Sequence, residues 1–126
     1  MNLQTIHHVA VIASDYAVSK RFYTELLGFE VIRENYRPER GDYKLDLRLG
    51  NCELELFGIP GSPARPSYPE ACGLRHLAFK VEDIESVVAE LAARGIEAEP
   101  VRRDAFTGEK MTFFKDPDGL PLELHE

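Results

Sequence analysis

The sequence predicts an α+β fold: two tandem β-α-β-β-β modules forming a cup-shaped mixed β-sheet. Three observations lead there. Landmarks recur at one shift of 68 positions: His8 and Glu55 return as His76 and Glu123, Asp15 as Asp83, and Leu54-Glu55-Leu56 as Leu122-Glu123-Leu124. Each half follows a β-rich run with one helical periodicity. Tyr43 to Leu49 alternates strictly between polar and apolar or aromatic residues, the mark of a half-buried strand.

In the first half, Ile6 to Ala13 is β-rich and Ser14-Asp15 supplies a helix N-cap. Val18, Phe22 and Leu26 at i, i+4, i+8 give the helix one apolar face, and Gly28 stops it. Phe29 to Tyr36 and Tyr43 to Leu49 are the next strands. Gly50-Asn51 suits a two-residue hairpin turn into Cys52 to Gly58, with Cys52 on the apolar face of Leu54 and Leu56.

The second half repeats the order. Leu74 to Val81 is a strand, Asp83 caps a helix with its face at Ile84, Val87, Val88 and Leu91, and Gly95 ends it. Glu97 to Arg103 and Lys110 to Lys115 are strands, and Asp118-Gly119 turns the chain into Leu120 to His125. The expected layout is thus one domain over residues 1–126, with modules at about 4–58 and 74–125 and a linker at 59–73. Pro60, Pro63, Pro66 and Pro69 recur every third residue in that linker, which predicts an extended, stiff polyproline II segment.

Composition excludes several function classes. A chain of 126 residues with 44% hydrophobic and 29% charged residues is ordinary for a globular protein. Its net charge of −7 argues against nucleic acid and anionic membrane surfaces, which want clustered Lys and Arg. No apolar run approaches the roughly 20 residues of a membrane span. Met1 to Thr5 lacks the basic flank and apolar core of a signal peptide, and Cys52 and Cys72 form neither a CxxC nor a disulfide framework. A cytoplasmic location is therefore expected.

Strand alternation places the chemistry. His8, Ala10 and Ile12 share a face opposite His7, Val9 and Val11; Glu53, Glu55 and Phe57 lie opposite Leu54 and Leu56. In the second half His76, Ala78 and Lys80 lie opposite Leu77, Phe79 and Val81, and Glu123 and His125 lie opposite Leu122 and Leu124. The repeat thus preserves two imidazoles and two carboxylates on faces turned away from the apolar cover. It suggests one divalent-metal site built half from each copy, with His8, Glu55, His76 and Glu123 as ligands. His7 aligns instead with Arg75, on the opposite face, and reads as a structural or surface histidine.

These residues carry a resemblance. The segments His7-His8-Val9-Ala10-Val11, Phe22-Tyr23, Leu27-Gly28-Phe29, Glu53-Leu54-Glu55-Leu56, Arg75-His76-Leu77-Ala78-Phe79 and Phe114 to Leu124 resemble the vicinal oxygen chelate superfamily, in its glyoxalase I (lactoylglutathione lyase)-related branch. The match runs over essentially the whole chain. It implies the glyoxalase/bleomycin resistance/dioxygenase fold, a homodimer, a small-molecule substrate and one divalent ion on the same four residues: Zn²⁺ or Ni²⁺ first, with Co²⁺ or Mn²⁺ also fitting the ligand set. It implies a lyase or isomerase acting on a small α-oxo or α-hydroxy carbonyl compound through a metal-stabilised enediolate. Glu123 or Glu55 would be the base, Glu123 preferred.

Departures narrow the substrate. Where glutathione-using members carry an Arg four residues after the first His and an Asn four after the first Glu, this chain has Ile12 and Ile59, which cannot hold a carboxylate. Lys44, Asp46 and Arg48 on one strand, with Lys80, Lys110 and Thr112, are candidates to line the cavity or to sit as solvated rims. The alternatives are an iron dioxygenase of the same superfamily, against which the second Glu counts, and a non-enzymatic binder of small molecules or antibiotics.

Overall fold

The computed structural model describes every residue from Met1 to Glu126. The chain divides into two compact units, Met1–Ala64 and Arg65–Glu126. Each holds one four-stranded mixed sheet.

In the first unit the elements are β1 (His8–Ala13), α1 (Tyr16–Arg21), a π-helical turn (Phe22–Leu26), β2 (Glu30–Arg37), β3 (Asp42–Leu49) and β4 (Cys52–Gly58). The strand order is β1-β4-β3-β2, with β1 parallel to β4 and the other pairs antiparallel. The second unit repeats this with β5 (Leu77–Lys80), α2 (Ile84–Ala93), β6 (Arg102–Arg103), β7 (Lys110–Lys115) and β8 (Pro121–His125), in the order β5-β8-β7-β6. The parallel pair joins each module's first and last strands, so residues of β1 and β4, or of β5 and β8, become lateral neighbours.

Both helices start as their caps dictate. The Asp15 carboxylate accepts from Val18 N–H and the Asp83 carboxylate from Ser86 N–H, each at 3.1 Å. Helix α2 buries Ile84 and Leu91 and half-buries Val87 and Val88, as its periodicity predicts. The first helix departs from expectation. After Arg21 it widens into a π turn, which rotates the apolar face so that Phe22 and Tyr23 are buried together while Val18 lies 51% exposed.

Other boundaries also shift. At the β3–β4 hairpin Gly50 takes φ +57° and no non-glycine residue has positive φ, the II′ pattern that lets strands of natural twist join in two residues. The equivalent connection in the second unit is no two-residue turn. Buried Asp116 organises a longer loop, its carboxylate accepting from Asp118 N–H at 2.9 Å and Leu120 N–H at 2.8 Å, and β8 starts at Pro121. Strand β6 spans two residues rather than Glu97 to Arg103, although Glu99 N–H still donates to Phe113 O at 2.8 Å.

The proline-rich stretch folds back instead of extending. Arg65 Nη2 donates to the carbonyls of Leu74 at 3.0 Å and Arg75 at 3.1 Å. A polyproline II segment of that length would span roughly 28 Å, at about 3.1 Å per residue, beyond one side chain's reach.

Alternation sorts each sheet into two faces. Val11, Ala13, Leu45, Leu47, Leu54 and Leu56 form the buried core of the first unit; Phe114, Leu122 and Leu124, with Ile84 and Leu91 of α2, form that of the second. Helix α1 lies close against β4: a Cβ at Gly58 would come within 2.6 Å of Tyr16 Cβ, so glycine is needed there.

Candidate functional site

The faces opposite the two cores carry the expected pairs. On the first, Ala10 of β1 lies in register with Glu55 of β4, and His8 with Glu53. His8 Nε2 stands 3.7 Å from Glu55 Oε2. On the second, Ala78 lies in register with Glu123. His76 sits one residue before β5, because the strand begins at Leu77 rather than Leu74. Its Nε2 nevertheless reaches Glu123 Oε2 at 2.9 Å, with Glu123 only 6% exposed. Thus each unit brings its own two expected residues side by side, and neither gathers three or more His, Cys, Asp or Glu side chains that could hold a metal.

The surroundings of the two pairs differ, and this difference had no signal in the repeat. In the first unit Asp46 of β3 lies directly opposite Glu55. Two carboxylates facing each other across an antiparallel ladder repel, so a cation is required between them. Lys44 supplies it: its Nζ donates to Asp46 Oδ1 at 2.8 Å and to Glu55 Oε1 at 2.9 Å. Arg33 Nε donates to the other Asp46 oxygen at 2.6 Å. Glu55 thereby has Oε1 held by lysine and Oε2 turned toward His8.

In the second unit the residue opposite Glu123 is Phe113. Its ring meets His76 edge-on at 5.2 Å, and the Arg102 guanidinium lies 5.5 Å from its centroid. The surroundings of the His8–Glu55 pair are therefore ionic and those of the His76–Glu123 pair aromatic.

The structure also gives His7 a role that alternation did not suggest. His7 Nδ1 and His8 Nδ1 lie 2.9 Å apart, so one donates to the other and His8 keeps Nε2 for the Glu55 side. A ligand imidazole is oriented in this way when its second nitrogen is hydrogen-bonded. Of the proposed lining residues, Lys44 and Asp46 join the Glu55 network. Thr112 is buried on the core face with its hydroxyl donating to Glu99 O at 2.6 Å, and Lys110 pairs with Glu85 at 2.7 Å. Ile12 is 54% exposed and Ile59 half-buried.

Burial alone would raise the Asp46 carboxyl, but hydrogen bonds and charge from Lys44 and Arg33 outweigh it and hold Asp46 below its ordinary value of 3.8. A depressed native pKa contributes stability that is complete above the unfolded value and disappears as pH falls through the native one. Asp46→Asn should therefore cost about 1–2 kcal/mol at neutral pH, because both cations keep access to water. In denaturant titrations the gap from wild type should close as pH drops below the Asp range. A gap independent of pH would contradict the ionic account.

The sequence profile of the Glyoxalase/Bleomycin resistance protein/Dioxygenase superfamily matches residues 5–124, and the chain belongs to that family. It is 58% identical over 127 residues to the uncharacterized protein YwkD of Bacillus subtilis (strain 168), covering 100% of this chain and 99% of that protein. A glyoxalase family protein from Enterococcus faecalis, of solved structure, is 67% identical with a TM-score of 0.95, covering 100% of both chains. Mitochondrial methylmalonyl-CoA epimerase of Homo sapiens is 30% identical over 133 residues, 99% of this chain and 75% of the epimerase. The 2-epi-5-epi-valiolone epimerase of Actinomyces sp is also 30% identical, over 141 residues, and the glyoxalase I of Leishmania major, of solved structure, is 28% identical with a TM-score of 0.72. No helix of the chain is long and apolar enough to cross a membrane.

Proposed function

We propose that the protein is a divalent-metal-dependent lyase or isomerase of the glyoxalase I type, acting on a small α-oxo or α-hydroxy carbonyl compound. One observation carries this reading: the same two repeat positions in each unit bring an imidazole Nε2 beside a carboxylate Oε2, at 3.7 Å and at 2.9 Å. Mixed nitrogen and oxygen donors suit Zn²⁺ or Ni²⁺, with Co²⁺ and Mn²⁺ also accommodated. His8, Glu55, His76 and Glu123 would hold the ion, whether one chain supplies both pairs or two chains of a homodimer exchange them. When bound, the ion supplies Lewis acidity at the substrate carbonyl.

Glu123 is the base in this reading. Its buried carboxylate takes the proton from the carbon next to the carbonyl as the C–H electron pair moves toward the carbonyl oxygen. Glu123 then gives the proton to the neighbouring carbon, which isomerises the substrate. Epimerisation would instead need a second acid to protonate the opposite face of the same carbon while Glu123 keeps the first proton. The epimerases among the distant relatives make the second outcome worth assaying. Glu55 is less suited to the task because Lys44 engages its Oε1. Ile12 and Ile59 offer no partner for a tripeptide thiol's carboxylates, so the substrate is a small carbonyl compound rather than a glutathione adduct.

The test begins with the ion. His76→Ala should lower Zn²⁺ or Ni²⁺ affinity by more than the roughly 10–100-fold that loss of an outer-shell partner costs. Full metal content in that variant, measured by elemental analysis, would remove His76 from the ligand set. Screening 2-oxoaldehydes and 2-hydroxy or 2-methyl acyl compounds, with and without thiols, on the metal-loaded protein then defines the substrate.

A further inference from the structure

We propose that Lys44 is a resident counter-cation of the first half-site, competing with a divalent ion for Glu55 and so limiting how tightly that ion is held. The inference rests on the cation site proposed above and deepens it.

Placement is the first ground. Asp46 is fully buried and lies opposite Glu55, and the Lys44 ammonium bridges the two at 2.8 and 2.9 Å. Lys44 lies on the same face two residues earlier, opposite Phe57, whose ring centroid is 5.9 Å from Nζ. Its position is thus fixed by strand geometry, by Asp46 and by the ring.

Asymmetry is the second ground. Lys44 pairs with Phe57 and Asp46 with Glu55; in the other unit Met111 pairs with His125 and Phe113 with Glu123. The counterparts of the Lys44–Asp46 pair are therefore Met111 and Phe113. A device needed merely to build a β-α-β-β-β unit would stand in both copies; this one stands only beside Glu55.

The sign of the effect follows from charge. An ammonium within hydrogen-bond distance of one ligand oxygen repels a doubly charged ion approaching the other. Losing Lys44 also loosens Glu55, but ordering one side chain is the smaller quantity. Removing the ammonium should therefore tighten binding. Removing Asp46, which shares it, should leave the ammonium wholly on Glu55 and weaken binding.

The experiment is Co²⁺ binding to the full chain, by competition with a chromophoric chelator, for wild type, Lys44→Met, Lys44→Arg and Asp46→Asn. The expected order is at least tenfold tighter binding for Lys44→Met, no change beyond about threefold for Lys44→Arg, and weaker binding for Asp46→Asn. Circular dichroism checks the fold; should Lys44→Met unfold, Lys44→Gln takes its place and Asp46→Asn remains decisive. Wild type that binds Co²⁺ while Lys44→Met binds equally or less tightly, or Asp46→Asn binds equally or more tightly, overturns the role of Lys44 alone. Wild type that binds no Co²⁺ overturns the cation site itself, and this inference with it.

Discussion

Glu123→Gln is expected to lower turnover by about 10²–10⁴-fold at saturating metal, the range for losing a positioned general base. The substitution is nearly isosteric, and Leu122 and Leu124, exposed 0% and 3%, anchor the strand on either side. The amide can still meet His76 Nε2, so the fold should persist. What disappears is the ability to accept a proton. Metal affinity will also fall, because an amide oxygen is a weaker donor than a carboxylate; rates must therefore be compared at saturating ion. Glu55→Gln is the control, and its main effect should be on metal affinity. Equal losses of kcat for the two variants under saturation would sink the assignment of Glu123 as the base.

The repeat made much of this architecture legible. The shift between His8/Glu55 and His76/Glu123 holds because the first and last strands of each module pair in the same register, Ala10 with Glu55 and Ala78 with Glu123. This is so even though the strand between is offset by one, so that Asp46 answers to Phe113. Module order and the two pairings could therefore be read together. The caps at Asp15 and Asp83 were equally readable, because a carboxylate before an apolar helical run has one common use.

Where expectation failed, a local interaction had overridden periodicity. The π turn at Phe22–Leu26 adds a residue to one turn and moves Val18 off the core. Asp116 replaces a two-residue hairpin because its carboxylate satisfies two backbone donors of a longer loop. Arg65 folds back a stretch whose proline spacing pointed to extension.

The difference between the surroundings of the two pairs was invisible for another reason. Alternation tells which face Lys44 and Asp46 occupy, but not that Asp46 is fully buried or that one ammonium spans both carboxylates. That depends on cross-strand register, which only the folded sheet fixes. The same holds for Phe113, edge-on against His76.

Leu56→Ala should be the most damaging change to stability, costing about 2–5 kcal/mol against a total of about 5–15 kcal/mol. Leu56 is fully buried and lies in register with Val11 of β1 and Leu45 of β3, both buried. Truncation leaves a void between neighbours held by two ladders, which cannot close without breaking register. Its counterpart Leu124 lies in register with half-exposed Phe79 and with Thr112, so Leu124→Ala should cost less. Denaturant midpoints measure both, with Leu56→Met, expected to cost under about 1.5 kcal/mol, separating lost volume from lost leucine shape. The strand that buries Leu56 also holds Glu55 and Phe57 on its other face. Leu56→Ala should therefore weaken divalent-ion binding in proportion to how far β4 shifts. A variant with the full stability loss but unchanged ion affinity would show that the β3–β4 ladder, rather than the core beneath it, positions Glu55.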